Sequence, residues 1–228
     1  MRSLGPVPVK GIEEPVEVFQ LVGAGQARTR LQGLDHARQV TIMLGAVCHD
    51  FGKPATTAII DGRIRSMEHE EQGVPPATSF LDRLNIHTVD GYDVRKQVIG
   101  LVAQHLKPGS WYKVQDEVGD GAFRRLAHKV DLELLARVAK SDCEGRRPGR
   151  FDCSAMDWFL ERARSLGVEH RPPPPILLGR HVLAMGIPPG PRVGEILKAV
   201  YEQQLDGRVS SLEEAVAAAA RILEKLGT

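Results

Sequence analysis

Cysteine is scarce in this chain of 228 residues: Cys48, Cys143 and Cys153 are the whole supply, with no C-x-x-C pair among them. That excludes a thiolate zinc site and a disulfide-stapled scaffold, and it predicts reduced cysteines in a reducing compartment. Aromatic residues make up only 5 %, so the core must be built from Leu, Val, Ala and Ile, which favours helices over β-sandwiches. Charge of one sign is also lacking. The net charge is +1, so no global field attracts nucleic acid, and any such binding must come from local patches. There is no run of about 18 apolar residues and no apolar signal core at the N-terminus, so no membrane partner and a cytoplasmic location are expected.

What is present begins with "VKGIEEPVEVFQLV", Val9 to Val22, where apolar and polar residues alternate as in one or two short strands. Pro6, Pro8 and Pro15 confine such strands to an edge. This stretch resembles the last strands of class III adenylate/guanylate cyclase domains. The cyclase's metal and purine residues have no counterpart in the chain, so residues 1–33 are taken as a vestigial hairpin without cyclase activity.

From Leu34 the period becomes helical, with Leu34, Ala37, Val40, Leu44 and Val47 at three- and four-residue steps behind a cap at Asp35. Further helices are expected over 70–84, 93–105, 121–127, 131–143 and 154–166, with "LKPGSWYK" as a loop. "GVEHRPPPPILLG" reads as a stiff linker, because successive prolines cannot continue a helix. Helices over 178–185, 193–204 and 211–226 follow, the last opened by a capping box of Ser210 and Glu213.

The chemistry lies in spread His and acid residues near helix ends: His49 with Asp50, His69, His105 and Asp142. A mixed His and carboxylate set suits a divalent ion (Mg, Mn, Ni or Zn), which acidifies a water and neutralises a phosphoryl oxygen. The plain alternative is that each His caps a helix or sits on the surface. Lys53, just past the His-Asp pair, either meets a phosphate or is a solvated helix-end lysine.

Quoted in order, "HDFGKP", "HEEQG", "QHLKPG" and "AKSDCEGR" look like the HD phosphohydrolase superfamily. More closely, "ATTAIIDGRIRSMEHEEQGV" and "GRHVLAMGIPPGPRVGEILKAVYEQQLDG" resemble the HD domain and C-terminal region of bacterial tRNA nucleotidyltransferases. The resemblance implies an all-α fold: an HD helical bundle over 34–166, a Pro-rich linker over 167–176 and a small C-terminal helical tail over 177–228. It implies a divalent metal held by His49, Asp50, His69, His105 and Asp142, with Asp50 and Lys53 at the catalytic centre, and RNA (tRNA) or a nucleotide as partner. The family's first histidine has no match. The upstream candidate, His36, would stand about 20 Å from His49 along one helix, at ~1.5 Å per residue. Nucleotide addition is not expected, since the chain shows no Asp-x-Asp pair beside a Gly-rich turn. A second reading is a non-catalytic RNA-binding remnant. For RNA contact the candidates are Arg124, Arg125, Lys129, Arg146, Arg147 and Arg150, with Trp111 and Tyr112 for base stacking; a solvated basic face is the alternative. Trp158 and Phe159 fit a core stripe. The family's tail implies a tRNA role for Arg180 and Lys198.

Overall fold

The computed structural model describes residues 2–7, 16–20, 31–146 and 152–226, of which 2–7, 16–20, 146 and 226 are described by backbone alone. The strands β1 (Arg2–Val7) and β2 (Val16–Gln20) pair antiparallel, as the alternation predicts, although β1 starts earlier than the proline-flanked stretch suggested. The side chains of both strands, Val16, Val18 and Phe19 among them, lie outside the described part of the structure.

The body is helical. Helix α1 (His36–Cys48) starts where Asp35 accepts a hydrogen bond from the Arg38 amide at 2.9 Å, the cap the sequence announced. Helix α2 (Lys53–Thr56) is one turn, and then the chain departs from expectation. Strands β3 (Thr57–Ile60) and β4 (Arg63–Ser66) form a second hairpin, turned at Asp61 (φ 51°) and Gly62 (φ 70°). Asp-Gly between the short runs TAII and RIRS is a type I′ turn signal, and it explains this hairpin. The helix expected over 70–84 is broken at Gly73 into α3 (His69–Gln72) and α4 (Val74–Arg83).

Helix α5 (Val94–Gln104) is central. It is followed by α6 (Lys107–Tyr112), where a loop was expected. Pro108 sits in the first turn of α6, where its missing N–H has no helical partner to lose. Helices α7 (Asp120–Leu126), α8 (Leu132–Arg146) and α9 (Ser154–Ser165) complete this part. Leu81, Val94, Val98 and Val102 pack α4 against α5, and Leu101, Phe123, Leu134, Leu135 and Phe159 join α5, α7, α8 and α9. Full burial of each such side chain contributes about 1.5–3 kcal/mol. Trp111 packs against Phe123 at 5.1 Å and Phe159 at 6.0 Å between ring centres, and Tyr112 against Trp158 at 5.6 Å. Trp111 and Tyr112 are half-buried, with faces engaged by neighbouring aromatic rings, so they are packing residues more than the free stacking platforms expected of them.

Helices α10 (Gly179–Ala184), α11 (Pro191–Leu205) and α12 (Leu212–Leu226) enclose a separate apolar cluster of Leu177, Val182, Ile196, Val200 and Ala215. The cap of α12 is shifted by one residue: the Ser211 hydroxyl accepts from the Glu214 amide at 3.2 Å, and Glu214 accepts from the Ser210 amide at 2.7 Å. The proline stretch is tied down by α11, whose Tyr201 donates to the Pro173 carbonyl at 2.7 Å and whose Gln204 donates to Pro174 at 2.8 Å.

Cys143 and Cys153 form a disulfide between α8 and the start of α9, against the expectation of reduced thiols. The cysteines lie at two helix ends that only tertiary packing brings together, so spacing gave no hint. Cys48 is free and fully buried, and burial pushes its thiol up to about 11, so it acts as a small apolar side chain. Among the described residues no helix is long and apolar enough to cross a membrane.

Candidate metal centre

Helices α1 and α8 run parallel, with Arg38 beside Asp131 at one end and His49 beside Asp142 at the other. α5 crosses them closely: a Cβ on Gly45 of α1 would lie 2.7 Å from Leu101 Cδ1. The C-terminal ends of α1 and α5 therefore deliver His49 and His105 to one place, where two helix dipoles present their negative poles.

His69 arrives from the other side through a close backbone approach. A Cβ on Gly52 would meet the His69 carbonyl at 2.0 Å and the Gly73 nitrogen at 2.6 Å. Only a bare backbone lets the turn after Asp50 press against α3. Glu68, at φ 58°, turns the chain into α3 in the left-handed region, a conformation that costs a non-glycine residue about 1 kcal/mol or more.

Each of the three imidazoles is fixed in the same way. Nδ1 lies 2.8 Å from the carbonyl three residues back: Ala46 for His49, Ser66 for His69, Val102 for His105. Donation from Nδ1 to that carbonyl leaves Nε2 as a lone pair, the arrangement that orients metal-binding histidines. The Nε2 atoms of His69 and His105 then face each other at 3.1 Å, both buried. At that distance the two nitrogens share either a proton, as an N–H···N hydrogen bond, or a cation. Two nitrogens sharing one ion at ~2.0–2.1 Å would stand roughly 3.0–3.4 Å apart, so the spacing fits a bound cation.

Asp50 completes this core. Its ligand oxygen and the two histidine nitrogens all lie within 4.8 Å of one another. Oδ1 of Asp50 is 3.5 Å from His69 Nε2, and Oδ2 is 3.3 Å from His49 Nε2 and 2.6 Å from Lys53 Nζ. His49 and Asp142 form the adjoining wall, with Asp142 Oδ1 3.8 Å from His49 Nε2. The adjacent Asp142 carboxylate raises the pKa of His49 above the ordinary imidazole value, while burial lowers that of His105. Asp50 remains 34 % exposed, so the centre opens to solvent on its carboxylate side.

Of the five residues picked from the sequence, Asp50, His69 and His105 bring ligand atoms within 4.8 Å of one another, and His49 and Asp142 stand beside them. His36 is exposed at the first turn of α1 and takes no part. One residue was missed: Gly52, whose signal exists only in three dimensions. Glu70 places Oε2 3.7 Å from His69 Nδ1, buried and without a hydrogen-bond partner among the described residues.

The expected RNA-contact residues scatter. The Arg124 guanidinium donates to the Leu205 carbonyl at 2.9 Å, and Arg125 pairs with Glu202 at 3.0 Å and Asp206 at 2.5 Å. Both therefore fasten α7 to α11. Lys129 is exposed, Arg146 is described by backbone alone, and Arg147 and Arg150 lie outside the described residues.

Comparison with known proteins reaches the same class that the motifs suggested. The chain is distantly homologous to bacterial tRNA nucleotidyltransferases. It is 33 % identical over 186 residues to the A-adding tRNA nucleotidyltransferase of Deinococcus radiodurans, a match covering 78 % of this chain and 40 % of that protein. It is 32 % identical over 178 residues to the CC-adding tRNA nucleotidyltransferase of Thermus thermophilus, covering 75 % of this chain and 38 % of the relative. The match thus spans less than half the length of either relative. No family model matches the chain, and no solved structure does.

Proposed function

We propose that this chain is a metal-dependent phosphohydrolase module of the HD type, organised as an HD domain over 34–166, a linker over 167–176 and a tail over 177–228, and acting on phosphoesters of nucleotides or RNA, tRNA among them. The observation that carries the reading is the facing Nε2 pair of His69 and His105 with Asp50 alongside. Asp50, His69 and His105 would hold a divalent ion (Mg, Mn, Ni or Zn), with His49 and Asp142 completing the donor set. Bound there, the ion supplies a Lewis acid for a phosphoryl oxygen and acidifies a water.

The remaining work falls to the chain's own groups. The Nδ1 contacts to Ala46, Ser66 and Val102 hold the imidazoles in one tautomer. Lys53 pairs with Asp50 yet keeps 43 % of its side chain exposed, so its ammonium can also meet a substrate phosphate at the open side. The near-complete burial of His69 and His105 excludes bulk water from the inner side.

The test is metal analysis of the purified chain, with hydrolysis of p-nitrophenyl phosphate and its bis ester in each of the four ions. Hydrolysis with at least one ion, lost in Asp50→Ala and His69→Ala, is expected. A chain that retains none of these ions and cleaves neither ester with any of them overturns the proposal. The alternative reading, a non-catalytic RNA-binding remnant, is favoured by one observation: the upstream position where the resembling family supplies a further histidine is matched here only by exposed His36. RNA binding by a chain without bound metal is its expected result.

A further inference from the structure

Helix α5 has two working faces. The inward one carries Val94, Val98, Leu101 and His105. The opposite one, through residues 96, 99, 100 and 103, floors a groove of about 470 Å³. Ile99, Gly100 and Ala103 make the floor apolar, Gln104 stands at one end, and Arg95, Lys96 and Lys129 stand at the rim.

Gly100 explains how Lys129 comes to be there. A Cβ on Gly100 would lie 2.6 Å from the Lys129 carbonyl, so the bare helix backbone lets the α7–α8 connection settle against it. Two of the three rim charges are not spent elsewhere. Arg95 pairs with Asp82, but neither Lys96 nor Lys129 has a carboxylate partner among the described residues. The one acid in the lining, Asp93, accepts from the Lys96 amide at 2.9 Å and sets its charge against Arg95, at that end of the groove. Glu202, the acid of α11 near His128, is held by Arg125. An apolar floor with two uncompensated ammonium groups, and a side-chain amide offering both a donor and an acceptor, matches a flat heterocycle bearing a phosphate. The volume falls within the ~300–1,000 Å³ usual for small-molecule sites.

We propose that this groove on the outward face of α5 is a second ligand site, for a nucleoside phosphate, set apart from the imidazole centre. Ile99 and Ala103 carry the base, Gln104 reads its edge, and Lys96 and Lys129 meet the phosphate. The site stands whether or not the imidazole centre holds an ion.

The test uses the whole chain in EDTA, which removes any ion-dependent contribution of that centre. Binding of AMP and of a single-stranded adenine hexaribonucleotide is measured by titration calorimetry at several salt concentrations. The variant is K96Q/K129Q, with a melting curve to show that it folds. R63Q/R65Q on the β3–β4 hairpin is the control with equal charge loss. A ten-fold or greater loss of affinity in K96Q/K129Q, with R63Q/R65Q unchanged, is expected. If AMP shows that loss, the ligand is a free nucleotide. If only the hexamer binds, it is a nucleotide within a strand. In that case the slope of log affinity against log salt falls by about 1.4 in K96Q/K129Q, at about 0.7 per phosphate contact. No binding of either ligand to the unaltered chain at millimolar concentration overturns the proposal, as does equal loss in the two variants or undiminished binding in K96Q/K129Q.

Discussion

The two ends of the α1–α8 pair each hold a dense polar cluster, and the two are built on opposite plans. At the N-terminal end Asp131 and Glu133, both nearly fully buried, face Arg38, Arg137 and Arg164. Asp131 also accepts from the Leu134 amide at 3.0 Å, and its own amide donates to Gln97 at 2.8 Å. Burial pushes the Asp131 carboxyl up, and the Leu134 amide and the Arg38 guanidinium pull it back. That cluster is closed, because each buried charge finds its opposite within the protein. At the C-terminal end three imidazoles and two carboxylates lie close together with Lys53 as the nearby cation, and two ring nitrogens face each other at 3.1 Å. That cluster is open and calls for something from outside. Density of polar groups does not separate architecture from function here; the state of their mutual satisfaction does.

Breaking the closed cluster should cost most. Arg38→Met leaves Asp131, 1 % exposed, without its main counter-charge, and a loss of about 3–5 kcal/mol is expected in chemical denaturation. Ion affinity, measured on the fraction that folds, should be little changed. The open cluster should respond in the other direction. A hundred-fold excess of a suitable divalent ion over its dissociation constant should add about 2.7 kcal/mol of stability, and His69→Ala should abolish that gain without destabilising the ion-free chain. A large loss of stability in ion-free His69→Ala would mean that the two clusters are alike.

Gly52→Ala should cost about 1–3 kcal/mol, because the added methyl collides with backbone and not with a flexible side chain. It should also weaken ion binding, since His69 must retreat. The smallest effect concerns pH. His49 holds its proton to a higher pH than an ordinary imidazole because of Asp142. In the ion-free chain this raised value stabilises the fold at pH below the unfolded imidazole value, and the contribution fades as pH rises through the folded one. Ion binding must displace that proton, so affinity should begin to fall at a pH above about 6.5 as the solution is acidified. Asp142→Asn should move that onset downward in a metal titration across pH 5–8.

The residue types of the open cluster were legible in the sequence, a His-Asp pair at the end of an apolar helical stripe and further His and Asp residues at element ends, but spacing alone did not join them; the resemblance to HD motifs did. The geometry that makes them a centre was not legible. Gly52 and Gly73 look like ordinary helix punctuation until the backbone they expose is seen to touch. Lys107–Tyr112 read as a loop because proline and glycine weigh against helix, yet proline is harmless in a first turn. Arg124 and Arg125 read as a nucleic-acid patch because their partners, Leu205, Glu202 and Asp206, lie some eighty residues away. The β3–β4 turn was there to be read, and the helical period on either side masked it.

That hairpin has a consequence of its own. Ile59 and Ile64 are directly paired across it and lie 77 % and 79 % exposed, and each strand has a free edge. An uncovered two-stranded ribbon with aliphatic residues is the sort of element that recruits strands from other chains and seeds precipitation. Arg63 and Arg65, alternating with the isoleucine, set like charges against any second copy that tries to add on in register. They act as gatekeepers, and neutralising both should make the protein less soluble before it makes it less stable.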